Sequence, residues 1–218
     1  MPSDLLAAFV RAVGTEGSAP HAERAGSDLL TRWAEPHRHY HTLTHLAGML
    51  DALTTLLAGP GLVVADRGAV DLAAWFHDAI YTGRAGDDEE ASAVLAEHVL
   101  AGLGQPPERV AEVARLVRLT ARHDPPDGDA AGEVVCDADL AILAAPPERY
   151  EKYTQAVRRE YAHVPDAAFR AGRAAVLRRL LATGPLFRTE PARRAWQEQA
   201  EANMIAELAR LEITPPAG

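Results

Sequence analysis

A histidine and an aspartate stand side by side at His77 and Asp78, inside the mostly apolar stretch from Ala73 to Tyr81. Adjacent residues lie about 100° apart around a helix, so both side chains can reach one point beside it. Imidazole nitrogen and carboxylate oxygen are both good ligands for divalent cations. The doublet therefore predicts a pair of metal ligands, and a hydrogen-bonded surface pair at a helix end is the alternative.

A second group of histidines precedes the doublet. Four of the residues from His37 to His45 are histidines, and the apolar residues after Thr42 recur at helical spacing up to Gly59. His41 and His45 are four residues apart and share one face if the first helical turn includes both. They can direct two ring nitrogens at one site, and a polar surface turn is the alternative.

Two aspartates form a third group. Asp137 and Asp139 interrupt the apolar segment 134–143. A buried carboxylate needs a partner charge, hydrogen bonds or a metal ion. Three separate predicted helices thus contribute histidine or carboxylate groups, which is the pattern of a site assembled between elements that are distant in sequence.

Helical periodicity dominates the segments that must position these residues. Apolar residues recur every three or four positions, and no segment alternates in the manner of a strand. The expected helices cover about residues 3–10, 29–33, 42–58, 65–81, 88–102, 107–123, 147–161, 165–183 and 190–211. We therefore predict an all-α fold, a single-domain compact helical bundle, in which His77 and Asp78 lie within a helix.

Composition narrows the classes of partner. The chain has 218 residues, of which 48% are hydrophobic and 24% charged, values typical of one globular body with a sizeable core. Its formal net charge is −9 and it has no Lys/Arg block, whereas a binder of duplex nucleic acid or of an anionic membrane needs a clustered basic face. We expect neither as a partner. A local basic pocket for a small phosphorylated molecule is compatible with this charge.

Cys136 is the one cysteine of the chain. A single cysteine permits neither a disulfide within the chain nor a thiolate zinc site. Its place in the apolar run Val134-Val135-Cys136 favours a small core residue over a reactive thiol. The sequence shows no signal peptide and no apolar run of membrane-spanning length, so a reducing, cytoplasmic location is expected.

The order of the chemical groups, His, then His-Asp, then Asp, resembles that of the HD superfamily of metal-dependent phosphohydrolases. The segments 35–41, 75–81 and 137–143 are similar to those of one bacterial subgroup of predicted HD phosphohydrolases. Further matches to that subgroup occur at Tyr150, Tyr153, Arg158, Glu160 and Tyr161. The resemblance implies one HD-type helical domain over residues 1–218, with a metal-site core at about 35–145 and flanking helices at 1–34 and 146–212.

The resemblance also implies which residues hold the metal. The first histidine of the HD pattern falls on His45, and the doublet falls on His77 and Asp78. An Ala-Asp-Leu match places the last aspartate on Asp139, although Asp137 is the other candidate and would otherwise orient a ligand or a water. The expected cofactor is one divalent transition metal ion (Mn, Co, Ni, Zn or Fe), or two such ions. A metal-bound water, its pKa lowered to about 7, would supply the nucleophile.

Catalytic roles follow from the same resemblance. Tyr40, His41 and His45 match the Tyr-His-x-x-x-His pattern of cyclic-nucleotide phosphodiesterases. In those enzymes the first histidine donates a proton to the leaving group, so His41 is the expected general acid. Asp78 is expected to accept a proton from the metal-bound water. Arg38 is expected to contact the substrate phosphate through its fork of N–H donors.

The remaining substrate-binding residues are expected around this centre. The full predicted set is Arg38, His123, Asp137, Arg158 and Tyr161. His123 is expected near the pocket, in the last turn of its helix. Surface salt bridging is the alternative for Arg158, and plain helix packing is the alternative for Tyr161.

Two alternatives belong to other functional classes. Some HD-fold proteins hold two irons and carry out oxygenation with extra histidines on the two helices after the doublet, where His98 and His123 stand in this chain. We expect His98 to be exposed, which disfavours this di-iron oxygenase. The other alternative is a non-catalytic ligand-binding HD module. The preferred prediction is hydrolysis of a small phosphorylated molecule, a nucleotide or another phosphoester. The oligomeric state stays open, with a homodimer as one option.

Overall fold

Helices make up all of the regular secondary structure in the part of the chain that this computed structural model describes, residues 2–14, 19–59, 61–182 and 184–213. The α-helices are α1 (Pro2–Val13), α2 (Ala19–Trp33), α3 (Leu43–Ala58), α4 (Arg67–Phe76), α5 (Asp87–Gly102), α6 (Pro107–Thr120), α7 (Ala130–Leu140), α8 (Pro147–Glu160), α9 (Asp166–Ala182) and α10 (Glu190–Glu212). A short 3₁₀ helix (Ala141–Ala144) follows α7 directly. The all-α prediction is confirmed. None of the described helices combines the length and the apolar character needed to cross a membrane.

Short polar side chains begin the helices that lead to the site. The Thr42 hydroxyl caps α3 by accepting the N–H of Thr44, and the Asp66 carboxylate caps α4 by accepting the N–H of Ala69. Asp129 caps α7 in the same way. Each cap of this kind stabilises its helix by about 1 kcal/mol. The caps fix the residues at which α3, α4 and α7 start. The start of a helix determines which way each side chain along that helix points.

Helix α4 is at the centre of the hydrophobic core. Residues 72–76, Leu-Ala-Ala-Trp-Phe, are completely buried, and α4 packs against α1, α3, α6 and α7. Phe9 of α1 makes edge-to-face contacts with Trp75 and Phe76, with ring centroids 5.1 and 6.3 Å away. The last turns of α4 have no solvent-facing side, and His77, which follows the end of this helix, therefore lies in the interior.

The helix that carries the His-Asp doublet ends earlier than its periodicity predicted. Helix α4 ends at Phe76, and His77 and Asp78 lie in the turn that follows. The carbonyl oxygens of Asp78 and Ala79 accept hydrogen bonds from the buried Arg38 guanidinium (2.7 and 3.2 Å). These carbonyls need no helical partner, so the chain is free to turn at the doublet.

Helices α2 and α6 also differ from the predicted boundaries, since α2 begins at Ala19 and not at Leu29. Helix α6 ends at Thr120, so His123 lies in the loop after the helix and not in its last turn. The His123 backbone has a φ of 53°, a left-handed conformation that is uncommon for residues other than glycine. The predicted helix over 165–183 corresponds to α9, and Thr183 itself lies outside the described residues.

Candidate metal centre

Three side chains from distant parts of the chain converge near the start of α3. His45 lies in the first turn of α3, His77 follows α4, and Asp139 lies in the last turn of α7. The Nε2 atoms of the two histidines are 3.1 Å apart. Asp139 Oδ1 lies 3.1 Å from His45 Nε2 and 3.5 Å from His77 Nε2. Both imidazoles are buried, and the three residues can hold a metal ion.

Asp78 adds a second carboxylate to form a His–Asp cluster of His45, His77, Asp78 and Asp139. Asp78 Oδ2 lies 3.0 Å from His77 Nε2 and 3.8 Å from His45 Nε2. Ligand bonds of about 2.1 Å place neighbouring ligand atoms about 3 Å apart at right angles and about 3.4 Å apart at tetrahedral angles. The observed separations fall around these values. The donor set can therefore hold a metal ion.

The second ring nitrogen of each imidazole, Nδ1, also has a hydrogen-bond partner. His77 Nδ1 lies 2.9 Å from the carbonyl oxygen of Ala74, which can only accept, so Nδ1 carries the proton in this hydrogen bond. His45 Nδ1 lies 3.0 Å from the hydroxyl of Tyr40. Hydrogen bonds of this kind fix the ring orientation of a metal-binding histidine. They leave the Nε2 atoms directed at the cluster.

Burial of opposite charges shifts the pKa values of the cluster. Burial lowers the pKa of the His77 imidazole, but the carboxylates of Asp78 and Asp139 outweigh burial and hold that pKa well above its ordinary value. Burial dominates at His45 and lowers its pKa. Burial raises the pKa of each carboxyl group, and the neighbouring imidazoles more than reverse this effect, so both pKa values lie below the ordinary range. Both carboxylates are therefore charged at neutral pH.

His41 stands beside the His–Asp cluster. Its Nδ1 lies 2.7 Å from Glu160 Oε2, and its Nε2 lies 3.9 Å from Asp78 Oδ2. The ring stacks on Tyr81, with centroids 4.1 Å apart. Burial lowers the pKa of His41, but the carboxylates of Asp78 and Glu160 raise it above its ordinary value. The imidazole can therefore hold a proton at Nε2, on the side that faces the cluster.

Glu160 is a site residue to which the sequence assigned no role. Its Oε1 accepts the backbone N–H groups of His39, Tyr40 and His41 at 2.7, 2.7 and 3.0 Å. Its Oε2 accepts the hydroxyl of Tyr81 at 3.0 Å, in addition to its contact with the imidazole of His41. The side chain is 1% exposed. The only sequence signal for Glu160 was its match to the HD subgroup.

Arg38 holds the backbone around the doublet. Its side chain is completely buried, and its guanidinium donates to the carbonyl groups of His41, Asp78 and Ala79 at 3.3, 2.7 and 3.2 Å. Its Nε donates to the carboxylate of Glu35. This placement differs from the predicted contact with substrate, because the donors are buried and already bonded. Arg38 is a positioning residue of the site.

Arg158 also bonds to the backbone rather than facing the cluster. Its guanidinium donates to the carbonyl oxygens of Tyr161 and Val164 at 2.7 and 3.2 Å, just after α8 ends. It also lies over the ring of Phe169, 4.7 Å from the centroid. The structure therefore places Arg158 at the end of α8, and the predicted phosphate contact has no geometric support. The ring of Tyr161 lines a cavity that reaches the site.

Asp137 is separated from the cluster that contains Asp139. It is completely buried, and its two carboxylate oxygens accept the backbone N–H groups of Arg188 and Thr189 at 2.7 and 2.8 Å. Residues two apart on a helix point about 200° apart, so α7 directs only one of the two aspartates at the cluster. Asp137 therefore binds the backbone at the start of α10. This position differs from its predicted role at the substrate.

Of the two extra histidines, His123 reaches the cluster and His98 does not. His123 Nε2 lies 2.8 Å from Asp139 Oδ2, whereas the side chain of His98 is exposed on α5. The predicted exposure of His98 is confirmed. The di-iron alternative calls for both histidines, and the structure brings one of them to the site.

Two cavities reach Asp139. The first, which we call the α3–α8 cavity, has a volume of about 520 Å³, and His45 and Asp139 line it together with residues of α3 and α8. Arg149 and Lys152 of α8 also line it, and both are exposed. Neither has an ion-pair partner among the residues that the structure describes. The wall of this cavity therefore carries two cations, and the exposed carboxylate of Asp51 lines it as well.

The second cavity, which we call the α8–α9 cavity, has a volume of about 530 Å³. His41, His123 and Asp139 line its end at the cluster. Its walls come largely from α8 and α9 and include Val157 and Phe169. The two cavities give a small molecule two routes to the same group of side chains.

Comparison of the chain with protein-family models, with curated proteins and with solved structures gives no match. Its function is therefore inferred from the His–Asp cluster, from the His41–Glu160 pair and from the two cavities.

Proposed function

We propose that this protein is a metal-dependent phosphohydrolase of the HD type that acts on a small phosphorylated molecule. One observation supports this above all. His45, His77 and Asp139 converge within metal-ligand distance of one another, and Asp78 Oδ2 lies 3.0 Å from His77 Nε2. A third imidazole, His41, lies 3.9 Å from Asp78, and Glu160 contacts the other nitrogen of its ring. A purely structural cluster needs no such third imidazole.

His45, His77, Asp78 and Asp139 would hold the metal ion. When bound, the ion supplies a water of lowered pKa and a positive charge beside the phosphoryl oxygens. With the ion bound, the four residues would contribute two neutral ring nitrogens and two carboxylates, and the two carboxylate charges would balance a divalent cation. In this proposal the carboxylate of Asp78, which lies 3.0 Å from His77 Nε2 and 3.9 Å from His41 Nε2, would accept a proton from an attacking water.

His41 is the proton donor in this proposal. Glu160 fixes the orientation of its ring through Nδ1, so Nε2 presents the proton to the site. The same carboxylate helps to raise the pKa of His41, which keeps the imidazole protonated nearer to neutral pH. A general acid works best when its pKa lies near the working pH. His41 can therefore protonate the oxygen of a leaving alcohol.

Arg149 and Lys152 are the proposed contacts for substrate anions, in place of Arg38 and Arg158. Both cations line the α3–α8 cavity and are exposed. Cations that face a metal site attract a phosphorylated ligand in a chain of net charge −9, which otherwise repels it.

The first test is the metal content and phosphoester hydrolysis of the purified protein, compared with His77→Ala and Asp139→Asn. We expect about one equivalent of a transition metal in the wild type, with both metal and hydrolysis lost in the two variants. His98→Ala is the matched control, because an exposed histidine on α5 should leave both properties unchanged. Circular dichroism of each variant shows whether the fold is kept.

Two results would contradict the proposal. Absence of bound metal after reconstitution with manganese, cobalt, nickel, zinc and iron would leave a non-catalytic binding module. Two irons with oxygen consumption would favour the oxygenase, and His98→Ala would then be expected to disturb the site.

A further inference from the structure

We infer that the α8–α9 cavity receives the leaving group of the substrate, and that this leaving group is an alcohol with an apolar or aromatic body. The inference rests on the proposed hydrolase function and specifies its substrate class. It depends on which side of the site the proton donor faces, on the chemistry of the cavity wall, and on the room inside.

The position of His41 identifies the side on which the leaving group lies. Both cavities reach Asp139, but His41 lines only the α8–α9 cavity, whereas the α3–α8 cavity is lined by His45 and by the cations of α8. A general acid must lie within hydrogen-bond reach of the oxygen that it protonates. The departing alcohol therefore lies on the α8–α9 side of the cluster.

The wall of this cavity is mainly apolar. Leu140, Val157, Phe169 and Val176 contribute to it, and Val176 is 39% exposed although it is a large aliphatic residue. An apolar wall gains free energy by covering apolar ligand surface and offers few partners to hydroxyl groups. Thr120 and three tyrosines supply its hydroxyl groups, so a sugar or glycerol leaving group would exchange its hydrogen bonds to water for fewer here.

The charged groups that line the cavity do not change this conclusion. The guanidinium of Arg173 is bonded to both carboxylate oxygens of Glu207 at 2.8 and 3.0 Å, so its charge is balanced. Glu89 accepts the backbone N–H of Gly86 at the start of α5. Arg179 is exposed and also interacts within the protein. Each of these groups has a partner in the protein itself.

The cavity also has room for such a group. Its volume of about 530 Å³ lies within the range of small-molecule sites, roughly 300–1,000 Å³. Gly172 of α9 lines it, and a Cβ atom added there would meet no atom within 4 Å. Glycine inside a helix is unfavourable, and Gly172 is an exposed position on the lining of this cavity. Gly172→Leu therefore adds an apolar side chain at the cavity wall without a clash with the core.

The test compares two phosphate monoesters that both release a primary alcohol, 2-phenylethyl phosphate and glycerol 1-phosphate. We expect the metal-loaded wild type to have the higher kcat/KM for the phenylethyl ester. Gly172→Leu should lower that kcat/KM at least about tenfold, the scale on which a hydrophobic pocket discriminates, and should leave the glycerol ester unchanged. Gly102→Leu is the matched control, because Gly102 is an exposed helical glycine with open space around it and lies on α5.

A second measurement separates this inference from the proposed function. Binding of the fluorescent alcohol 2-(1-naphthyl)ethanol needs no turnover, and we expect saturable binding that Gly172→Leu abolishes and Gly102→Leu retains. If no phosphoester is hydrolysed, the proposed function fails, and the naphthyl titration alone decides what the cavity binds. Hydrolysis with equal or better use of the glycerol ester, or equal effects of the two leucine variants, would overturn the inference. The inference would also be overturned if the protein formed a dimer and Gly172→Leu blocked dimer formation instead of ligand binding.

Discussion

Replacement of Glu160 by glutamine should destabilise the protein although it changes a single atom. The carboxylate oxygen Oε1 accepts three backbone N–H groups, and Oε2 accepts the imidazole of His41 and the hydroxyl of Tyr81. Hydrogen bonds to a charged acceptor contribute about 1.5–3 kcal/mol and neutral ones about 0.5–1.5 kcal/mol. If glutamine weakens three of these five hydrogen bonds by about 1 kcal/mol each, the free energy of unfolding falls by about 3 kcal/mol.

The pKa of Glu160 gives a second route to the same magnitude. Burial raises this pKa, but the imidazole of His41 and the backbone donors lower it from the ordinary 4.5 to about 2. Each pKa unit corresponds to about 1.4 kcal/mol, so the charged form contributes about 2–3 kcal/mol once solvent screening is allowed for. Because the folded pKa is depressed, this contribution is complete above about pH 4.5 and is lost as the pH falls toward 2.

The assay is thermal and urea unfolding of wild type, Glu160→Gln and the control Glu151→Gln, which alters an exposed carboxylate on the same helix. At neutral pH, Glu160→Gln should lower the Tm by about 6–12 °C, and the control should change little. The difference between wild type and Glu160→Gln should shrink as the pH falls below about 4.5. Equal stability of the two glutamine variants at neutral pH would refute this account of Glu160.

Catalysis offers a further readout for the same substitution. The Glu160 carboxylate raises the pKa of His41, so its removal should lower that pKa. Activity that needs protonated His41 disappears as the pH rises through this pKa. The basic limb of the pH–rate profile should therefore move to lower pH in Glu160→Gln, and an unchanged limb would exclude His41 as the general acid in the proposed reaction.

Three other substitutions or probes test separate parts of the structure. Arg38→Lys should cost about 3 kcal/mol in urea unfolding, because lysine cannot reproduce the bonds to three buried carbonyl groups. Asp137→Asn should lose about 1–3 kcal/mol of stability, because one backbone N–H then faces an amide N–H. This variant should keep its metal, whereas Asp139→Asn should lose the metal. Cys136 should react with a thiol reagent only on unfolding, because its buried thiol has a raised pKa; fast reaction in native buffer would contradict its burial.

The sequence predicted the helices well because burial of one helix face imposes the 3.6-residue period directly. It failed at the end of α4, where the periodic pattern continued past Phe76 while the chain turned. That turn depends on Arg38, whose donors satisfy carbonyl groups 40 and 41 residues later in the chain. No local signal in residues 65–81 contains this information.

For the site, residue type was easier to predict than direction. Histidines and aspartates in apolar segments marked the residues that meet in the cluster, but the sequence did not decide which of Asp137 and Asp139 faces it. The guanidinium groups of Arg38 and Arg158 predicted contacts with a phosphate, but both bond to backbone carbonyls, Arg38 to carbonyls 40 and 41 residues later and Arg158 to carbonyls three and six residues later. Glu160 meets His41 across 119 residues of sequence, so its role depends on the packing of α8 against the turn before α3.

Lys152 is the single lysine of the sequence, and it lies on the wall of the α3–α8 cavity. All the other basic side chains apart from the histidines are arginines, whose guanidinium groups stay protonated and do not react with acylating reagents at neutral pH. An amine-directed label therefore has one lysine to modify, at the entrance to the His–Asp cluster. Acylation of this lysine removes one of the two cations proposed to attract the substrate, so a loss of hydrolysis on labelling would report that the substrate uses this cavity.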